Sequence, residues 1–240
     1  MSRITALHHD RHASIQLRHT SSSSKLRFAL LGRSELTLAG ADFPICLAKE
    51  ADTGRFNLIA LLSLIEPRNL FCANDQWHAT YQPEATTTAP FFLDPTSKHG
   101  VAVDEDSVEL NAGGMQLFDD HGKHTDTFNK ISARLKRIAG DIIDAQRMVD
   151  DFAKRKLIRP LQLILQLNDG REHQIDGLYS LGTDALAALS DDSVVSLYRS
   201  GNLAAAAIIS ASLAQVERLR QLHNATGAQP ITSARVTIEE

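Results

Sequence analysis

The spacing of apolar residues divides the chain into a strand-rich first part and a helix-rich second part. Between residues 26 and 118, short apolar runs are separated by turn signals such as Asp52-Thr53-Gly54 and Glu66-Pro67, which is typical of strands. The runs are Pro44–Ala48, Phe56–Ile65, Asn69–Cys72, Pro90–Asp94 and Val101–Asp104. The pattern predicts an α+β fold with short antiparallel strands in its N-terminal half.

One long amphipathic helix is predicted after the polar turn at residues 119–122. Thr125 is a suitable N-cap, and Asp126 brings a negative charge to the first turn. From Phe128 to Phe152, apolar residues recur at steps of three and four. The resulting stripe can pack on the protein's own sheet or, because it keeps coiled-coil spacing, form the seam of a homodimer through residues 128–152.

A β-hairpin and a helical C-terminus are predicted after Pro160. The hairpin turns at Asn168-Asp169-Gly170, where glycine supplies the positive φ that such turns need. One face of the returning strand is expected to carry alternate residues: His173, Ile175, Gly177, Tyr179 and Leu181. Two further helices, Asp191–Ser200 and Asn202–His223, are separated at Gly201.

The two ends of the chain are interpreted as disordered tails. Residues 1–25 end in the serine run Ser21–Ser24, and residues 225–240 alternate small and polar residues around Pro230. Residues 26–224 are expected to form a single domain.

Composition narrows the classes of protein that fit. The net charge of −4 and the pI near 6.2 argue against a nucleic-acid partner, which usually requires a basic face. The longest apolar stretch, Leu203–Ala214, is shorter than the ~20 residues of a membrane-spanning helix. Only two cysteines occur, Cys46 and Cys72, which fits a reducing compartment. A cytoplasmic protein is therefore expected.

A series of strings follows one order between about Glu35 and Leu222. They are Glu35, Phe43-Pro44-Ile45, Leu58–Leu64, Asn69-Leu70-Phe71, Trp77, Tyr81-Gln82-Pro83, Pro90-Phe91, Asp104–Ser107, Leu117-Phe118, Asp169-Gly170 and Gly177-Leu178-Tyr179. In this order the chain resembles the SapC family of bacterial proteins, which differs from the peptide-transporter permeases of similar name. The resemblance implies a domain of undefined biochemistry with an accessory role in nutrient handling.

The chain departs from the family pattern in one loop. Between Tyr81 and Pro90 the family typically carries two arginines flanked by tyrosines, whereas this sequence has Ala85, Thr87-Thr88 and Ala89. Paired guanidinium groups can hold a carboxylate or phosphate in a bidentate manner, and threonines cannot. Whether residues 84–89 keep a binding role is therefore open.

The predicted ligand-binding residues lie in the segment that carries most of the resemblance. Aromatic residues make up only 5% of the chain, yet several fall between residues 71 and 92. Such a concentration indicates either a local core or the wall of a ligand pocket. The candidate binding residues are Asn69, Phe71, Trp77, Tyr81, Phe91 and Asp104.

A metal site is an alternative that the histidines suggest. His124 and Asp126 match the His-x-Asp half of a two-histidine, one-carboxylate iron site, with His173 as the distant ligand. The same residues also begin a helix, which explains them without a metal. The sequence contains no glycine-rich phosphate loop, Gly-x-Ser-x-Gly elbow or zinc signature and indicates no particular cofactor.

These observations favour a non-catalytic binding or accessory protein whose partner is a small molecule or another protein. A self-assembling or surface-layer-associated structural protein is one alternative, based on the stripe at residues 128–152. A non-haem iron oxygenase that uses His124, Asp126 and His173 is another.

Overall fold

The computed structural model describes residues 3–13, 15–17, 22–74, 76–94, 96–107, 110 and 114–239. Its strands, in chain order, are β1 (Ile4–Ala6), β2 (Gln16–Leu17), β3 (Phe28–Leu30), β4 (Ile45–Lys49), β5 (Phe56–Leu61), β6 (Cys72–Ala73), β7 (Gln76–Trp77), β8 (Phe91–Leu93), β9 (Val101–Asp104), β10 (Met115–Gln116), β11 (Ile158–Leu167), β12 (Glu172–Leu181) and β13 (Ile231–Ile238).

The helices comprise the predicted long helix and C-terminal helices and, before them, two short helices that were not predicted. They are α1 (His9–His12), α2 (Leu36–Asp42), α3 (Asp126–Lys154), α4 (Thr183–Ala187), α5 (Asp191–Arg199), α6 (Asn202–Ser212) and α7 (Val216–Ala225). The α+β class, the long helix, the hairpin and the helical C-terminal region are thus confirmed. Within the described ranges no single helix has the length and apolarity to cross a membrane, and the one pair that reaches them jointly, α5 with α6–α7, is bent by 88°.

A six-stranded antiparallel sheet of order β13-β11-β12-β4-β5-β3 forms the centre of the fold. The predicted β11–β12 hairpin turns at Gly170, whose φ is 87°. A bulge at Gly177, with φ of 79°, then inserts an extra residue into β12. The prediction that His173 and Tyr179 share one face is therefore wrong, because the bulge reverses the alternation between them.

Helices cover the centre of this sheet on both faces. Residues 58–61 of β5 are all buried, which requires cover on both sides because successive side chains point to opposite faces. α3 contacts β5, while α6 contacts β4 and β12 and packs on α2. The last contact is close at Gly40, where a Cβ atom would lie 2.8 Å from Cγ2 of Ile208.

α3 joins two hydrophobic cores. Its C-terminal half, Ala145–Phe152, packs in the main core between sheet and helices, and its N-terminal half buries Phe128 and Leu135 in a second core beside β8 and β9. The stripe from residue 128 to residue 152 is thus used within the chain. Its buried side chains are not available as the homodimer seam that the spacing allowed.

Both terminal segments contain regular structure where tails were expected. β1 pairs with β9, and Leu7 is buried in the second core. At the other end, β13 pairs with β11 along its length and buries Ile231. The alternation of small and polar residues near Pro230 was misinterpreted, because period-two alternation is also typical of a half-buried edge strand.

Candidate functional site

Four of the six candidate binding residues come together, and two do not. Asn69, Phe71, Trp77 and Tyr81 lie at one corner of the main core. Phe91 instead pairs with Val103 and is buried in the second core. Asp104 closes β9, where its carboxylate accepts a hydrogen bond from the Arg3 N–H at 3.1 Å. Residues 69–91 form one continuous stretch of sequence, but the chain turns away from this corner after residue 90, before it reaches Phe91.

Three aromatic rings form the base of the corner. Phe43 and Phe71 are fully buried and meet edge to face with ring centroids 4.7 Å apart. Trp77 is half-buried and stacks on Phe71 at 6.3 Å. The fully buried Asn69 positions this group, because its Oδ1 accepts the Phe71 N–H at 2.9 Å. These rings fill the space between them, as a core does, and Trp77 remains partly exposed.

A buried carboxylate holds the neighbouring loop in place. Glu35, only 4% exposed, precedes α2. Its Oε2 accepts the Gly32 N–H at 2.7 Å, and its Oε1 accepts both the Tyr81 O–H and the Glu84 N–H at 2.8 Å. Burial and the bond to Glu35 raise the pKa of Tyr81. The Tyr81 hydroxyl therefore keeps its proton and acts as a donor.

A second buried carboxylate brings in the C-terminal helix. Asp42 accepts the Tyr81 N–H at 2.7 Å and a hydrogen bond from Arg218 of α7. The Arg218 guanidinium also lies over the Phe71 ring, 5.4 Å from its centroid, in a cation–π contact. The Trp77 indole N–H completes the arrangement by donating to the Tyr81 carbonyl at 2.6 Å. Tyr81 is thus fixed at its amide, its carbonyl and its hydroxyl.

Comparison with known proteins identifies one family. The SapC family model matches residues 7–219. The chain belongs to the SapC family. No curated protein and no solved structure matches it.

The corner gathers the residues on which the SapC resemblance depends. Glu35, Phe43, Asn69, Trp77 and Tyr81 belong to different strings of the sequence and meet here. The segment that lacks the family's arginine pair is adjacent, and α3 supplies a cation to it. Arg137 pairs with the Glu84 carboxylate, and this hydrogen bond raises the pKa of Arg137.

The histidines do not assemble the iron site that the sequence suggested. Thr125 caps α3 by accepting the Phe128 N–H at 3.3 Å, and Asp126 occupies the first turn. The side chain of His124 bonds to His99, Nε2 to Nδ1, at 2.8 Å. His173 lies on β12 opposite Leu165. Across the described ranges no three His, Cys, Asp or Glu side chains are grouped so that they could hold a metal ion.

Sequence reasoning missed Asp42 and Arg218 as members of the corner. They are 176 positions apart, and each has an ordinary helical neighbourhood in the sequence. Glu35 could have been included among the candidate residues, because it is the first of the residues that carry the SapC resemblance. However, the sequence around Glu35 does not indicate that its side chain is buried. That burial depends on the loop at Tyr81 and Glu84, which is distant in the sequence.

Proposed function

We propose that this SapC-family protein is a non-catalytic binding or accessory protein, and that Trp77 and Tyr81 form the centre of its binding surface. The observation that carries the proposal is that both rings are half-buried, while their polar atoms are already bonded within the protein. Rings held in this way offer apolar area to a partner at a small cost in conformational entropy. Tryptophan, tyrosine and arginine are also the residues that most often dominate binding energy.

The polar groups of the corner favour binding over catalysis. The Glu35 and Asp42 carboxylates already accept bonds from donors in the fold, and the raised pKa of Tyr81 keeps its hydroxyl protonated. Because both carboxylates are almost fully buried, neither can come within hydrogen-bond reach of a substrate's proton, as a general base must. Arg218, with 35% of its side chain exposed beside the rings and its charge balanced by Asp42, would instead offer N–H donors to a partner at this surface.

The proposal is testable because Trp77 is the only tryptophan. In uniformly ¹⁵N-labelled protein, the single indole N–H resonance reports on this surface. We expect fractions of the native host's metabolites or proteins to shift that resonance, and the shift to weaken in the Arg218→Ala variant. Tyr198, 74% exposed on α5, provides a control amide that should not move. The proposal fails if no fraction moves the Trp77 resonance of the folded protein, or if Tyr198 responds equally.

A further inference from the structure

The outer edge of β3 is open. β3 is the last strand of the central sheet and pairs only with β5, in the register Ala29 with Ala60. The Leu31 N–H donates to the Leu58 carbonyl at 3.0 Å, and the Arg27 carbonyl accepts from Leu62 at 2.8 Å. Odd-numbered residues of β3 therefore face β5, since antiparallel pairs alternate. The N–H and C=O groups of Phe28 and Leu30 consequently point away from the sheet.

The side chains along this edge are apolar and exposed. Phe28 is 50% exposed and Leu30 is 36% exposed, and strand alternation places both on one face. Leu26, two positions earlier, is 37% exposed. Proteins usually protect a free edge with proline, a bulge or charged side chains within the strand. Phe28–Leu30 has none of these devices, and although the turn Glu84–Thr87 contacts β3, no described segment pairs with its outer side.

Two exposed cations lie at the N-terminal end of β3. Lys25 and Arg27 are exposed, and neither forms an ion pair with any residue in the part of the chain that the structure describes. The turn Glu84–Thr87 contacts β3, but the Glu84 carboxylate is already paired with Arg137. The two cations thus remain uncompensated in a protein whose net charge is −4.

We propose that the outer edge of β3 binds an extended segment of a partner protein, in which apolar side chains alternate with acidic ones. The partner would add a strand to the sheet, with backbone hydrogen bonds to Phe28 and Leu30. Its apolar residues would cover the exposed side chains, and its carboxylates would meet Lys25 and Arg27. A second copy of this chain fits less well, because paired β3 edges would bring together four cations with no acid between them.

Binding at the outer edge of β3 does not require the surface at Trp77. The two surfaces have different chemistry, and each has its own reporter. A ligand of the aromatic corner acts on the Trp77 indole, whereas a strand added to β3 acts on the amides of Phe28 and Leu30. Failure of one proposal therefore leaves the other intact.

The test uses the full chain labelled with ¹⁵N and a synthetic hexapeptide that alternates glutamate with valine. We expect the peptide to slow hydrogen exchange at the Phe28 and Leu30 amides, while Ala29, already bonded to β5, changes little. Replacing both Lys25 and Arg27 with glutamate should weaken binding by at least roughly 2- to 30-fold, the range for the loss of two exposed ion pairs, because the new carboxylates also repel the peptide. The same variant should gain affinity for a hexapeptide that alternates lysine with valine.

A second variant tests the backbone directly. Phe28→Pro removes a donor that points away from β5, so the sheet should keep its pairing while peptide binding is lost. The proposal is overturned if the acidic peptide gives no protection at Phe28 and Leu30 at millimolar concentration, or if the charge reversal leaves its affinity unchanged. Protection that rises with protein concentration alone, together with a dimer in analytical ultracentrifugation, would assign the edge to a second copy instead.

Discussion

Substitution of Glu35 tests most directly how the aromatic corner, formed by Phe43, Asn69, Phe71, Trp77 and Tyr81, is held together. It accepts three hydrogen bonds, from Gly32, Tyr81 and Glu84, and it is almost fully buried. Replacing it with alanine leaves these three donors without an acceptor. An unsatisfied buried donor costs about 1–3 kcal/mol. The Gly32 amide is buried and bears the full cost, whereas Tyr81 and Glu84 are half-buried and can recruit water.

Three substitutions should therefore follow a definite order. Tyr81→Phe removes one donor and leaves the carboxylate two partners, at a cost of about 0.5–1.5 kcal/mol. Glu35→Gln keeps one acceptor oxygen for Tyr81 and Glu84 but turns an N–H group toward Gly32, at about 1–3 kcal/mol. Glu35→Ala affects all three donors, and after the allowance for water we expect a loss of about 2–5 kcal/mol.

The assay is equilibrium unfolding in urea, with the midpoint and slope compared among the variants. Glu50→Ala provides the matched control, because Glu50 is an exposed glutamate outside the corner and its loss should change stability by less than about 0.5 kcal/mol. The reasoning is refuted if Glu35→Ala costs no more than Tyr81→Phe, or if the Glu50 variant is destabilised as much as the Glu35 variants.

Two further predictions concern packing and charge. Gly40→Ala should lower the free energy of unfolding by about 1–3 kcal/mol, because the new Cβ would press on Ile208. Gly140→Ala should instead stabilise α3 by about 0.5–1 kcal/mol, because the space around its Cβ is open. Urea unfolding of both variants tests this pair of expectations, and equal effects would contradict them. Partial burial and the neighbouring His124 lower the pKa of His99 below its ordinary value of 6.5. The unfolded chain then takes up this proton first, so stability should fall as the pH drops below 6.5. NMR titration of the His99 ring should give a higher pKa in the His124→Ala variant, and an unchanged value would exclude the coupling.

The sequence predicted the elements whose local signals agree with one another. The N-cap at Thr125, the charge of Asp126 and the following apolar stripe all indicate the same helix, and the structure has it at Asp126–Lys154. The hairpin at Gly170 was equally well determined by its turn residues. β13 was missed because its alternation of small and polar residues also suits a tail, and only the pairing with β11 distinguishes the two. The bulge at Gly177 was missed because a single glycine does not reveal which residue of a strand is extra.

The candidate site was predicted only where neighbours in the sequence stay neighbours in space. Asn69, Phe71, Trp77 and Tyr81 lie within thirteen positions of one another and meet in the corner. Phe91 was grouped with them by the same argument, but it belongs to the other core. Closeness in the sequence therefore does not show whether a residue such as Phe91 belongs to the corner or to the second core, which the chain enters next.

The residues covered by the family match indicate which features other SapC proteins can share. The hydrogen-bonded corner lies within the match, and β13 lies outside it. Residues 7–219 include Glu35 at one end of the corner and Arg218 at the other, so the whole hydrogen-bonded arrangement falls within the matched part. The match also contains β3, but not β13. Since β13 and β3 occupy opposite edges of the sheet, removal of β13 would expose β11 and leave the outer side of β3 unchanged. The edge at Phe28 and Leu30 therefore does not depend on the C-terminal strand, and a family member without that strand should still bind the acidic peptide there if it keeps the apolar edge and its two cations.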